Sequence, residues 1–176
     1  SAFLDFPVNQ TKIYPEYRNN PEELKKIIAT IDLVKNDKNT RITEINIEGY
    51  ASPEGSYKSN ARLAQGRSEA LKKCVQDLYH FEQDMIKVNS VPEDWQGLRE
   101  YVANSNFAKK DEMLSLLDNE KLSYDARELR LKTFEGGKVY TTLLNECYPA
   151  LRHSDYTVRY VVRGFSVDEA KEIMTK

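Results

Sequence analysis

The sequence predicts an α/β fold, a two-layer α+β sandwich in which helices cover one face of a mixed sheet. Ile45 and Ile47 alternate with polar residues, which is the period-two pattern of a strand with one buried face. After a turn at 52–55, apolar residues recur at three- and four-residue steps from Leu63 to Leu78 and therefore share one face of a helix. A strand followed by a helix that must bury one face indicates helices layered on a sheet.

Length and composition limit the classes of protein to which this chain can belong. At 176 residues the chain fits one domain, or one domain with a large insertion. The 26 basic and 28 acidic residues are interspersed and give a net charge of -2, so nothing indicates a nucleic-acid or membrane-surface partner. No apolar run reaches the ~18 residues of a membrane span, and we expect no signal peptide within these residues. We expect Ser1 to begin a mature fragment or an excised domain.

The stretch from Gly49 to Ser68 is the most informative part of the sequence. Ser52, Pro53, Glu54 and Gly55 form a turn between the strand and the helix. Arg67 lies in the apolar stripe of that helix, where a guanidinium is costly unless it is paired. Arg67 therefore meets a buried carboxylate or faces a site for an anion. A structural ion pair or a side chain that extends to solvent remains the alternative.

The pattern G-Y-A-S-x-x-G-x-x-x-x-N-x-x-L-A-x-x-R-S resembles the signature of the OmpA-like peptidoglycan-associated domain. In that family the strand-end Asp and the helix Arg hold the diaminopimelate of a peptidoglycan stem peptide. Ser52 stands at the position of that Asp. The resemblance implies an OmpA-like mixed sheet and a location at the periplasmic face of the outer membrane of a Gram-negative cell. The family positions that match are Gly49, Gly55, Asn60, Leu63 and Arg67.

The predicted ligand-binding residues cluster at this strand-to-helix turn. The helix start offers free N–H groups near Gly55 and Ser56 to a carboxylate, and Arg67 can add a bidentate contact. Glu54 is the candidate acceptor for the ligand's ammonium, and replacement of the family Asp by Ser52 predicts weak binding. The full predicted set is Ser52, Glu54, Gly55, Asn60 and Arg67.

The remaining segments predict the rest of the domain. Strands are expected near 3–8, 43–50, 85–91 and 156–164, and helices at 21–35, 57–79 and 138–148 should cover one face of the sheet. Helices near 94–102, 113–117 and 124–134 form an insertion at about 92–134. We therefore expect an OmpA-like domain over 1–165, followed at 166–176 by the start of a C-terminal helix that leads to further sequence.

No arrangement of residues predicts catalysis or a cofactor. His80 and His153 lack a neighbouring ligand at metal-site spacing, so no metal site is expected. Cys74 and Cys147 lie on apolar helix faces, match no zinc or C-x-x-C pattern, and are expected to be reduced. Gly136-Gly137 lacks the rest of a phosphate-binding loop and predicts a turn between helices. The chain is therefore predicted not to be an enzyme.

Two functions remain open. The first is a non-catalytic cell-wall-binding module that anchors an outer-membrane protein to peptidoglycan through the stem peptide. The second is an envelope assembly or protein-interaction domain that has lost cell-wall binding and uses the helical insertion as its working surface.

Overall fold

The computed structural model describes residues 1–162, apart from the side chain of Gln83, and contains a four-stranded mixed sheet. The strands are β1 (Ala2–Asp5), β2 (Thr40–Tyr50), β3 (Ile86–Val91) and β4 (His153–Val162). Their order in the sheet is β1-β4-β2-β3. β4 is antiparallel to both of its neighbours, and β3 is parallel to β2. The predicted mixed sheet and the α+β class are confirmed.

The ends of β1 and β4 differ from the prediction. β1 ends at Asp5 and does not reach residue 8, because Pro7 has no N–H to continue a ladder. β4 begins earlier than Tyr156, at His153, where it pairs with the end of β1. The predicted strand end at 164 and the helix predicted from Ser166 lie outside the described residues.

A β-bulge explains the burial pattern of β2. Ile42, Ile45 and Ile47 are all buried, although strict alternation would place Ile42 on the opposite face from the other two. The register with β4 shifts between Ile42 and Glu44, so one additional residue restores Ile42 to the core side. The opposite face of β2 carries polar side chains such as Glu44 and Glu48.

Helices α1 (Asn20–Asn36) and α2 (Tyr57–Leu78) supply apolar side chains to the core at the sheet. Asn20 lies in the first turn of α1. Its side chain accepts the Asp5 N–H at 2.9 Å and donates to the Asp5 carbonyl at 3.1 Å, which fixes α1 against β1. The buried apolar residues of this core are Ala2, Leu4, Phe6, Ile27, Ile31, Ile42, Ile45, Ile47, Leu71, Val75, Phe81, Ile86 and Tyr156.

The segment after β3 is helical and lies outside the sheet, as predicted. It contains α3 (Trp95–Ala103), α4 (Lys110–Leu117), α5 (Tyr124–Thr133) and a composite helix over 138–151. The composite helix consists of α6 (Lys138–Thr142), a π-helical turn (Leu143–Cys147) and α7 (Tyr148–Leu151). Gly136 and Gly137 have positive φ in the turn before the composite helix, in agreement with the predicted turn between helices.

These helices are built around a second core of their own. The composite helix, whose segment 138–148 was predicted to cover the sheet, contributes its apolar stripe to this core instead. The second core therefore draws on residues from both sides of Phe134, and the boundaries 92–134 stay a prediction. Its buried members are Leu98, Val102, Met113, Leu117, Leu131, Val139, Leu143, Cys147, Tyr148 and Leu151.

The two cysteines lie in different environments. Cys147 is buried in the second core, and burial raises the pKa of its thiol to about 12. Cys74 is half-buried on α2, and both residues are free thiols. Within residues 1–162, no helix has the length and apolar character needed to cross a membrane.

Candidate functional site

The turn at 51–55 follows the carboxyl end of β2, next to the start of the helical segment. Tyr50 pairs with Val91, so the parallel strands β2 and β3 end side by side. The Asp94 N–H donates to the Ala51 carbonyl at 2.8 Å, immediately beyond the ladder. The beginning of the helical segment is therefore attached directly to the predicted binding turn.

Arg67 is held by backbone carbonyls. Its Nε donates to the Gln10 carbonyl at 3.0 Å, and its two terminal nitrogens donate to the carbonyls of Tyr50 at 3.0 Å and Pro7 at 3.3 Å. The guanidinium also lies 5.5 Å from the centre of the Phe6 ring. Burial lowers the pKa of Arg67 to about 10, and the positive charge of Arg152 acts in the same direction. Arg67 thus joins the loop after β1 to the end of β2.

Ser52 and Glu54 meet an arginine that the sequence did not indicate. The Ser52 hydroxyl donates to Glu54 Oε1 at 2.8 Å. Arg152 donates to the same oxygen from Nε at 2.8 Å and from a terminal nitrogen at 2.5 Å. The Arg152 side chain is 8% exposed and that of Glu54 is 21% exposed, so the pair is largely shielded from water. The carboxylate considered for a ligand ammonium already has a cationic partner.

Asn60 connects α2 to the turn and to the segment after β3. Its amide nitrogen donates to the Glu54 carbonyl at 2.7 Å and to Glu93 Oε2 at 2.6 Å. Glu93 is buried and also accepts the Trp95 indole N–H at 2.9 Å. Burial raises the pKa of Glu93, while its two hydrogen bonds favour the ionised carboxylate. Asn60 and Glu93 therefore bind each other inside the protein and join α2 to the segment after β3.

The start of α2 has a carboxylate in place. Gly55 is exposed and has φ of +76°, a backbone conformation that favours glycine. The Ser56 hydroxyl accepts the Ser59 N–H as the N-cap. The Tyr57 N–H donates to Asp125 Oδ1 at 2.9 Å. A negative charge from the helical segment thus lies at the positive end of the helix dipole.

Aromatic rings reinforce this junction. Tyr57 of α2 stacks on Tyr124 of α5 with ring centres 5.4 Å apart, and Trp95 of α3 stacks on Tyr124 at 5.9 Å. Arg127 lies 5.2 Å from the centre of the Tyr124 ring. The three rings join the helical segment to the start of α2.

His153 forms a second ionic cluster beside the turn. Its Nδ1 lies 2.5 Å from Asp155 Oδ1, and its Nε2 lies 3.2 Å from Asp94 Oδ2. The imidazole stacks on the Tyr50 ring with centres 4.2 Å apart. Burial alone lowers the pKa of His153, but hydrogen bonds and charge from the two aspartates outweigh it and raise the pKa to about 9. His153 is therefore protonated at neutral pH and bridges two carboxylates.

This cluster predicts a loss of stability in mildly alkaline solution. An unfolded histidine titrates near pH 6.5 and the folded one near 9, so the contribution is complete below about pH 6.5 and disappears as the pH rises to 9. Because Asp155 is partly exposed, we expect a loss of only about 1–2 kcal/mol. Urea unfolding of wild type and His153→Gln between pH 6.5 and 9 measures it.

His80→Gln is the matched control, since His80 is exposed and far along the chain from the cluster. Its stability should fall with pH as that of wild type does, whereas His153→Gln should lose this part of the slope. Equal slopes for wild type and His153→Gln would count against the ionic bridge.

The structure brings the five predicted residues into one region and adds partners that sequence reasoning missed. Glu93 and Asp94 could have been found, because they follow a strand parallel to β2 and must lie at the same sheet edge. Arg152 gives no such signal, since it lies 98 residues from Glu54. Within the described part of the chain, no cluster of three or more His, Cys, Asp or Glu side chains is suited to a metal ion.

No family model matches the sequence, and no curated protein is similar to it. Among solved structures, the chain is similar to the peptidoglycan-associated lipoprotein from Burkholderia pseudomallei, with 11% identity and a TM-score of 0.49 over 90% of this chain and 91% of that one. It is also similar to the C-terminal domain of Helicobacter pylori MotB, with 10% identity and a TM-score of 0.37 over 99% and 93% of the two chains. The periplasmic domain of H. pylori MotB gives 11% identity and a TM-score of 0.39 over 97% and 78%.

The described residues have the predicted mixed sheet, with the signature from Gly49 to Ser68 running from the end of β2 into α2. The described strands and helices have the mixed sheet and the covering helices that the OmpA-like resemblance implies.

Proposed function

We propose that this chain is a non-catalytic cell-envelope domain that uses the OmpA-like fold for protein interaction, with the family's ligand pocket converted into an internal junction. One observation carries the proposal. Ser52 and Arg67, at the two positions that hold diaminopimelate in the family, are 2% and 1% exposed. A ligand could reach them only after the surrounding side chains had moved.

The charges expected of a ligand are already supplied by the protein. The Arg152 guanidinium donates two hydrogen bonds to Glu54 Oε1 and neutralises that carboxylate, which reduces its attraction for a ligand ammonium. Displacement of Arg152 would leave a buried arginine without its partner, and removing one member of a buried ion pair commonly costs about 3–5 kcal/mol. At the other end of the turn, Asp125 takes the place that a ligand carboxylate would have at the start of α2. The Glu54 carboxylate and the start of α2 therefore each have a partner of opposite charge within the protein.

Cell-wall anchoring of an outer-membrane protein is the second candidate. The spacing of the signature favours it, as does the contact between Arg67 and the Tyr50 carbonyl immediately before the turn. In that case Glu54 would release Arg152 and accept the ammonium of diaminopimelate. A periplasmic location suits both candidates and rests on the resemblance.

The two candidates differ in their response to free diaminopimelate. We expect no heat of binding in calorimetry at millimolar diaminopimelate, and no retention of the domain on purified peptidoglycan. Ser52→Asp should not create binding, because the introduced carboxylate would lie buried beside Glu54 and Arg152 and would pair with that arginine. Arg41→Ala lowers the net charge by one unit, as Ser52→Asp does, but at an exposed position. It is therefore the control for non-specific adsorption to peptidoglycan.

A clear outcome against the proposal exists. If wild type is retained on peptidoglycan and free diaminopimelate elutes it, or if Ser52→Asp binds while wild type does not, the turn is a ligand site and the anchoring function replaces the one proposed here.

A further inference from the structure

A cleft of about 860 Å³ opens between α3 and the composite helix. Its volume falls in the range of about 300–1,000 Å³ typical of binding pockets. One wall is a stripe of α3 that includes Gly97, Glu100 and Tyr101. The facing wall is a stripe of the composite helix that includes Thr142, Glu146 and Ala150. We call this space the acidic cleft.

Small or polar residues are present on both helical walls of the cleft. Glycine, threonine and alanine leave space that larger apolar side chains would fill in a closely packed helix pair. The two helices come close at Gly97, where an added Cβ would lie 2.7 Å from Leu151 Cδ2. The cleft therefore borders the second core, and the loop residues 104–107 line it together with the two helices.

The lining combines negative charge with apolar surface. Asp94, Glu100 and Glu146 contribute carboxylates, and no lysine, arginine or histidine lines the cleft. Among residues 1–162, neither Glu100 nor Glu146 forms an ion pair; Glu146 accepts only the Tyr101 hydroxyl, at 3.3 Å. Tyr101 and Phe107 supply the apolar surface.

The wall formed by the composite helix departs from α-helical geometry at its carboxylate, Glu146. Glu146 and Cys147 both line the cleft, and both belong to the π-helical turn from Leu143 to Cys147. Such turns are rare inside helices and frequently mark functional sites. The turn places an exposed carboxylate next to the buried thiol of Cys147 on the same wall.

We propose that the acidic cleft binds a lysine- or arginine-containing segment of a partner protein. A basic side chain has an apolar stem that can pack on Tyr101 and Phe107 and a charged head that Glu100 and Glu146 can receive. The cleft is open to solvent, so a side chain of a partner segment can enter it. This inference rests on the proposed interaction function and names the partner's chemistry.

Fluorescence anisotropy with defined peptides tests the proposal on the whole chain. The probe is a labelled dodecapeptide of alternating lysine and alanine, compared with the same peptide carrying norleucine at each lysine position. The basic peptide should bind at least tenfold more tightly than the norleucine peptide, and added salt should weaken it. Equal binding of the two peptides would overturn a site that recognises charge.

Paired variants locate the binding. Glu100→Gln with Glu146→Gln should weaken the basic peptide about tenfold or more. Glu112→Gln with Glu120→Gln removes the same charge from exposed positions that do not line the cleft, and should change binding less than twofold. If the control pair weakens binding as much as the cleft pair, the attraction is a general effect of net charge and the cleft is not the site.

Competition by a small amine shows whether the cleft binds a peptide segment or a small molecule. Lysine methyl ester should compete only weakly with the peptide, and full competition at peptide-like concentration would overturn the proposal in favour of a small-molecule pocket. The outcome is also separable from that of the proposed function. Absence of both peptide and diaminopimelate binding removes only the cleft inference, whereas diaminopimelate binding overturns the interaction function whatever the peptides do.

Discussion

Replacing Gly49 by alanine is expected to destabilise the domain by about 3 kcal/mol. Gly49 lies near the end of β2, where α2 crosses the sheet at close range. A Cβ at this position would overlap the Ala64 carbonyl oxygen and lie 2.6 Å from the Ser68 backbone nitrogen. Both obstacles are helix backbone and cannot rotate away, so α2 would have to move from the strand. Urea unfolding of the two proteins measures the loss.

Gly66→Ala is the matched control, because it adds the same methyl group on α2. Its Cβ would lie 2.6 Å from Cγ2 of Thr11, the tip of an exposed side chain that can turn aside. Alanine also gains about 1 kcal/mol over glycine in a helix interior, so the net change should stay within about 1 kcal/mol. Equal losses in both variants would contradict the close-approach explanation.

Removal of the Arg67 side chain is expected to cost about 3–5 kcal/mol. The change to alanine leaves the carbonyls of Gln10, Tyr50 and Pro7 without their donor and opens a cavity beside Phe6. Each buried polar group that loses its partner costs about 1–3 kcal/mol. The loop after β1 should then detach from the end of β2. Thermal and urea unfolding would report the loss.

Arg62→Ala removes an arginine from the same helix at an exposed position and should change stability by no more than about 0.5 kcal/mol. A loss below about 1 kcal/mol for Arg67→Ala would mean that its three carbonyl contacts contribute little. If the expected loss is found, reduced ligand binding in Arg67→Ala cannot by itself indicate a ligand contact, because the turn is disturbed as well. Ser52→Asp is the better probe of binding.

Much of the fold could be predicted because its signals are local. The alternation of Ile45 and Ile47 and the spacing from Leu63 to Leu78 each depend on neighbours in the sequence, and the observed β2 and α2 agree with them. The bulge that brings Ile42 to the core could not be predicted in this way. It depends on the register with β4, which lies more than a hundred residues away.

The site was harder to predict because its contacts are long-range. Arg67 was recognised from its place in an apolar stripe, since a buried charge needs a partner. The partners turned out to be three carbonyls from two other segments, and backbone atoms carry no residue-type signal. Arg152 precedes β4 in a stretch without periodicity, so only the assembled fold brings it to Glu54.

The position of β4 in the sheet sets the order in which the chain can fold during synthesis. In the described part of the chain, the only strand partner of β1 is β4, which also completes the pairing of β2 and is the last strand to be made. At about 5–20 residues per second, β1 waits roughly 7–30 s for that partner. Until then one side of β2 presents open backbone groups that other chains can pair with. A chain that stops before His153 lacks β4, one of the two central strands of the sheet. β1 is then separated from the pair that β2 and β3 form.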